Sequence, residues 1–311
     1  MVDVAVLGCG PWGRNIIRTL LDLESTEDFR LREIVHQGST ERAETVNEAF
    51  NFECHTDLTE ALNRNDAICV ATPDETHFEL VETALQSGLD VFVEKPLCFN
   101  RTRAEELFSL ATKNNCLLMP GHLMLYHPLL SALQEEPNFQ PGTLDEIVIN
   151  RLSRLRDNGE RRLLHSSLIH DLTVLDALYG ATPSLTSCIP LGPYPPGRSV
   201  SGTLLYKETK VQIRARSDWP FPERTITFRR GEQFFHFDGQ SDELTLSDQA
   251  DPTEDDRLIT FDELPLTAEL KNFIRSSQEL ESCRVSKQHV LRVMKTLESI
   301  QQRVLNELQD Q

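Results

Sequence analysis

The chain has 311 residues, 39% hydrophobic and 26% charged, an ordinary globular composition with length enough for two domains that each bury a core. Its 31 Lys and Arg against 49 Asp and Glu give a formal charge of -18, which argues against general binding of nucleic acid or anionic membrane, since both want positive surface. The opening MVDVAVLGCG has no signal-peptide core, no apolar run reaches membrane-span length, and the seven cysteines are scattered without a CxxC pair, so reduced thiols in a cytoplasmic protein are expected and no metal site.

Residues 2–7 read as a compact apolar strand. Gly8-Cys9-Gly10-Pro11-Trp12-Gly13 follows, and then Ile16, Ile17, Leu20 and Leu21 recur at helical spacing. A GxGxxG set between a strand and a helix points to dinucleotide binding. Gly8 allows the tight turn, Gly10 lets backbone approach a pyrophosphate, and Gly13 lets helix and strand pack closely. The helix N-terminus then offers amides and a positive dipole end to the phosphates. The next strand, 31–35, should end in an acid ~20 residues beyond the glycines if it grips the ribose of NAD. It ends instead in Val35-His36. His36, Ser39, Thr40 and Arg42 offer partners for a 2′-phosphate, which favours NADP over NAD; a solvated Arg42 on the following helix is the alternative.

A strand at 67–71 runs into Thr72-Pro73-Asp74, and its helix carries Phe78, Val81, Ala84 and Leu85 on one face before stopping at Gly88. The run VFVEKP at 91–96 is a buried parallel strand halted by a proline that cannot sit in a central ladder. Lys95 therefore stands at a strand's carboxyl end, where open α/β sheets bind ligands. Taken alone, a strand-end lysine more often just reaches water. A helix near 102–114 and a strand near 116–119 complete the series. Strands alternating with helices in this way give a Rossmann-type, doubly wound parallel sheet, assigned to residues 1–120.

GCGPWG, ATPDETH at 71–77, EKP at 94–96, Gly121-His122-Leu123, Tyr126-His127-Pro128 and His170-Asp171, in that order and spacing, resemble the Gfo/Idh/MocA family of NAD(P)-dependent sugar and polyol oxidoreductases. The resemblance extends over more than half the chain. It implies that Gly8, Gly10, Pro11, Trp12, Gly13, Ala71, Thr72, Pro73, His77, Glu94 and Lys95 line the cofactor site, and that Lys95 reaches the substrate carbon that exchanges hydride. Tyr126 and Ser166 join the substrate side.

The second half, 121–311, reads as an α+β domain with a large open, mixed or antiparallel sheet. A helix at 127–133 precedes an alternating strand at 147–155 and a helical segment at 163–179. Strands follow near 186–189, 202–206, 211–215, 225–228, 233–237 and 244–246, and a long amphipathic helix closes the chain. That final helix is assigned to pack back on the first domain. In the resembling family this sheet roofs the active site, and its other face packs against a second subunit in homodimers or homotetramers.

Oxidising a sugar hydroxyl needs a hydride acceptor, the nicotinamide, and a group that takes the hydroxyl proton. A lysine must come down from ~10.4 to near neutrality for that role, at a cost on the order of 4 kcal/mol, whereas a histidine starts near ~6.5. His170 is therefore assigned as proton carrier and Lys95 as the charged donor that holds the oxygen, with the reversed roles as the alternative. The family's usual aspartate four residues before that histidine is here Ser166, which cannot stabilise an imidazolium as a carboxylate does. Arg151, Arg154, Arg156, Arg161 and Arg162 crowd into twelve residues against only Asp157 and Glu160. Arg151 and Arg154 could grip a carboxylate or the diphosphate of a nucleotide-sugar, with an ordinary solvated strand as the alternative. The same strand and His127-Pro128 resemble the branch acting on UDP-sugar uronates. The expected function is an NAD(P)-dependent oxidoreductase of a sugar, sugar acid or nucleotide-sugar; the alternative is a cofactor-binding regulator of the same fold.

Overall fold

Six short strands, each too apolar to face water, account for the first half of the molecule. The computed structural model describes residues 1–36, 40–50, 52, 54–154, 167–191, 199–248, 256–262 and 264–309. It divides into two compact units, Met1–Tyr126 with Leu264–Leu291 and His127–Glu263 with Arg292–Gln311. In the first unit β1 (Val2–Leu7), β2 (Phe29–Val35), β3 (Cys54–His55), β4 (Ala67–Val70), β5 (Asp90–Val93) and β6 (Leu118–Pro120) form one sheet in the order β3-β2-β1-β4-β5-β6. Every pairing is parallel. All four residues of β4 are buried, without alternation, as expected where helices cover both faces of a sheet. Those covering helices are α1 (Pro11–Leu23), α2 (Thr40–Phe50), α3 (Leu58–Arg64), α4 (His77–Gln86) and α5 (Arg101–Lys113). The strand order reverses between β1 and β4, and a ligand crevice opens at the carboxyl ends beside such a reversal.

One further helix belongs to this unit. Helix α8 (Pro265–Ser277), whose sequence was read with the second domain, buries Leu270, Phe273 and Ile274 and packs against α1. The Phe273 ring lies 5.8 Å from Phe92 of β5, and Glu27 accepts from Lys271 at 2.7 Å and Arg275 at 3.2 Å.

The second unit holds α6 (Leu129–Glu135), β7 (Glu146–Arg154), α7 (Ile169–Tyr179), and the run β8 (Ser184–Pro190), β9 (Ser199–Tyr206), β10 (Thr209–Arg216), β11 (Asp218–Arg230), β12 (Gln233–Asp238), β13 (Glu243–Ser247) and β14 (Arg257–Thr260). The closing helix α9 (Lys287–Gln309) starts in the first unit and continues in the second. The eight strands order as β14-β13-β12-β11-β7-β10-β9-β8, antiparallel except for the parallel β7–β10 pair. Alternation is strict in β10, where Val211, Ile213 and Ala215 point inward. Three buried or half-buried carboxylates brace this unit. Asp171 takes a two-point grip from Arg151, with Nε at 2.9 Å; Asp176 takes one from Arg292 at 2.7 and 2.8 Å; and Asp218 takes one from Arg216 at 3.0 and 2.8 Å. All seven cysteines are thiols, and among the described residues no helix is long and apolar enough to cross a membrane.

Candidate active site

The three glycines of the first turn differ in what demands them. Gly8 has φ +99°, and a Cβ there would lie 2.5 Å from the Ala71 carbonyl oxygen, so the turn itself requires glycine. A Cβ on Gly13 would collide with the Gly8 carbonyl, which is the close helix–strand approach read from the sequence. Around Gly10 nothing lies within 4 Å of where a Cβ would stand. Gly10 is also the N-cap of α1, with Pro11 at the first helical position, no side-chain cap and no acid in the first turn. Among the described residues, the helix therefore opens without a side-chain cap and with clear space beside Gly10. That combination fits the diphosphate of a dinucleotide.

The tips of β4 and β5 are tied together. The fully buried His77, first residue of α4, sets Nδ1 2.8 Å from the Pro96 carbonyl and Nε2 2.9 Å from the Thr72 carbonyl. Both partners are acceptors, so a neutral imidazole donates to one of them at a time. Thr72 Oγ1 and Thr76 Oγ1 are 2.7 Å apart, and Thr76 donates to the Pro73 carbonyl, which tightens the turn after β4. At the tip of β5, the Glu94 carboxylate accepts from Trp12 Nε1 through Oε1 and from the Lys95 amide at 3.2 Å through Oε2. This bond joins the glycine turn to the strand that carries Lys95. The Lys95–Pro96 peptide is cis. Burial pushes the Glu94 carboxyl up to about 7, against the Trp12 and Lys95 donors that favour its anion.

Next to this edge lies a polar layer of which the sequence motifs mark only His122 and Tyr126. Gly121 follows β6 so closely beside β5 that a Cβ would lie 3.6 Å from Glu94 Cα and 3.2 Å from the Phe92 ring. His122 Nδ1 and His289 Nε2 are 2.9 Å apart with the rings edge-on, and burial, then His289, holds His122 well below the ordinary histidine range. Glu269 of α8 is 1% exposed, accepts from the His122 amide, and leaves Oε1 without a hydrogen-bond partner. Burial, and then the charge on Glu94, pushes the Glu269 carboxyl well above the usual carboxylate range. The Tyr126 hydroxyl is buried and donates to Asn272 Oδ1 at 2.7 Å, so its proton is already committed within this layer. A buried acid in α8 could have been found only from packing, because in sequence it reads as one more helical glutamate.

In the second unit His170 is the second residue of α7 and is half-buried. Its neighbour Asp171 points away to Arg151, so that arginine, read as an anion grip, ties β7 to the start of the His170 helix. His36 lies buried just after β2, its amide donating to the His55 carbonyl at 2.9 Å. The side chains of Arg42 and Arg154, together with Ser166, Arg156, Arg161 and Arg162, lie outside the described residues.

Residues 2–122 match the model of the Gfo/Idh/MocA oxidoreductase family, an NAD-binding Rossmann fold. UDP-N-acetylglucosamine 3-dehydrogenase of Acidithiobacillus ferrooxidans is 27% identical over 150 residues, 48% of this chain and 47% of that protein. The dTDP-3,4-didehydro-2,6-dideoxy-alpha-D-glucose 3-reductase of Actinomadura kijaniata is 33% identical over 133 residues, 41% of this chain and 38% of that one. The chain thus spans about half or less of the length of these curated relatives. A solved structure of the Acidithiobacillus ferrooxidans dehydrogenase superposes with a TM-score of 0.86 over 99% of both chains at 20% identity, which establishes a shared two-part fold.

Proposed function

We propose, from the match of residues 2–122 to the model of the Gfo/Idh/MocA oxidoreductase family, that the chain moves hydride between NAD(P) and a CH–OH carbon of a nucleotide-linked sugar. The observation that carries the reading is the open space above Gly10 at an uncapped helix start, joined through Trp12 and Glu94 to the strand tip bearing Lys95. When bound, the nicotinamide supplies the hydride acceptor or donor. Lys95 holds the reacting oxygen and stabilises negative charge developing on it, as a fixed cation does best away from bulk water. His170, whose ordinary range lies near ~6.5, takes the hydroxyl proton. The names of the curated relatives, which act on UDP- and dTDP-linked sugars, support a nucleotide-sugar over a free one. The missing acid after Val35 supports NADP over NAD. A soluble, cytoplasmic homo-oligomer assembled through the eight-stranded sheet completes the proposal.

The test is a hydride-transfer assay with both cofactors against a panel of free sugars, sugar acids, and UDP- and dTDP-sugars. Turnover concentrated on the nucleotide-linked members is the expected result. Binding of NAD(P)H with no turnover on any member overturns the enzyme and favours a cofactor-binding regulator.

A further inference from the structure

Glu94 does more in this structure than line a groove. The residue is 8% exposed, yet among the described residues no arginine is bonded to its carboxylate, which accepts from an indole N–H and a backbone amide. Groups facing it come from every neighbouring element. Lys95 favours its anion, Asp74 beyond β4 opposes it, and the Cys69 thiol of β4 and Glu269 of α8 both feel its charge. His122 and His289 complete the layer and form a pair with one another. Glu269, wholly buried with an orphaned oxygen, is pushed further up by burial and by the charge on Glu94, whereas Glu94 has donors on both oxygens to receive its anion, so Glu94 is the carboxyl of this pair placed to change state.

We propose that Glu94 matches its charge to the redox state of the cofactor: it releases a proton when the oxidised, cationic nicotinamide binds, and keeps it when the reduced, neutral ring binds. The step is an ionisation alone. The protonated carboxyl and the oxidised cofactor give the carboxylate–cation pair and one proton to solvent, and no electron moves. This inference rests on the NAD(P) reading above. It is motivated by position: the carboxylate is bonded to Trp12 at the start of α1, so it stands between the phosphate-facing turn and the half of the sheet formed by β4, β5 and β6. In a doubly wound sheet that half receives the second nucleoside of a dinucleotide. A cation arriving near a buried carboxyl pulls it toward the charged form.

The experiment is calorimetric titration of the full chain with NADP+ and with NADPH (and the NAD pair), in two buffers of equal pH and different ionisation enthalpy, which reads the protons released. A carboxyl that titrates near neutrality predicts release of about half a proton at pH 7 with the oxidised form, approaching one at pH 6, and under about a tenth with the reduced form. Glu94→Gln abolishes the release and flattens the pH dependence of oxidised-cofactor affinity between pH 6 and 8. Trp12→Phe removes a donor to the anion and raises release at pH 7 toward one proton. Glu269→Gln leaves the release in place, because burial and an orphaned oxygen oppose ionisation of that group. Should Glu94→Gln fail to fold, loss of the protonated-carboxyl infrared band of the native chain on adding oxidised cofactor reads the same event. Equal release by both redox forms, no release by either, or release lost in Glu269→Gln overturns the inference while leaving the cofactor reading intact. Binding of neither cofactor overturns both.

Discussion

The buried acids of the two units are handled in opposite ways. In the second, Asp171, Asp176 and Asp218 are each clasped by a guanidinium at two points. In the first, Glu94 is held by an indole and an amide, and Glu269 by an amide alone on one oxygen. A two-point guanidinium grip fixes geometry and charge together, and suits a strut. Of the two glutamates, Glu94, left to weaker, neutral donors in a dry place, is the one whose protonation stays open to what arrives, and so suits chemistry. The contrast separates carboxylates clasped by arginine from carboxylates that are not, although all of them are largely buried.

The largest effect that could break this contrast concerns a strut. Arg151→Met leaves Asp171 buried without its partner and is expected to cost ~3–5 kcal/mol in denaturant unfolding, much of it recovered by adding Asp171→Asn. A loss under about 1 kcal/mol would show that the pair is not structural. On the other side, Lys95→Ala should lower kcat by ~10²–10³ or more with the folded state unchanged. Fluorescence titration should find NADPH affinity close to that of the parent chain; loss of both together makes Lys95 a cofactor or structural residue. The glycines sharpen the same division within one turn. Gly13→Ala should destabilise by ~2 kcal/mol or more, since backbone must shift. Gly10→Ala should leave Tm in place and weaken dinucleotide binding about tenfold, since its methyl occupies only the ligand's space. The smallest effect is acid stability. The Arg216 guanidinium holds Asp218 down to about 2 from 3.8. A lowered carboxyl stabilises the fold above its ordinary range and loses that contribution as pH falls from 3.8 toward about 2. Asp218→Asn should therefore flatten this limb of a pH–stability curve.

Much of the first sheet was legible because its information is local. A glycine turn, a buried apolar triplet and a stopping proline need only neighbours in sequence to be understood. Most of the polar layer near Lys95 was not legible, because α8 reaches it from far along the chain, 146 residues for Tyr126 and Asn272: Glu269 meets the amide of His122, and no pattern in PLTAELKNFIRSS marks that one glutamate as buried. Arg151 had its partner hidden in the same way. On an alternating strand it reads as a cation facing outward, and only the fold brings Asp171 against it. His77 carried no sign of its two carbonyl partners, which lie on different loops. Tertiary placement, not propensity, decided each of these residues.

The imidazole of His77 has one more consequence. Because a single rigid ring rests against the Thr72 and Pro96 carbonyls, the loops after β4 and β5 behave as one lip rather than two fingers. Whatever displaces the first is felt by the second, so a guest settling on one strand tip also sets the pose of the lysine beside the other.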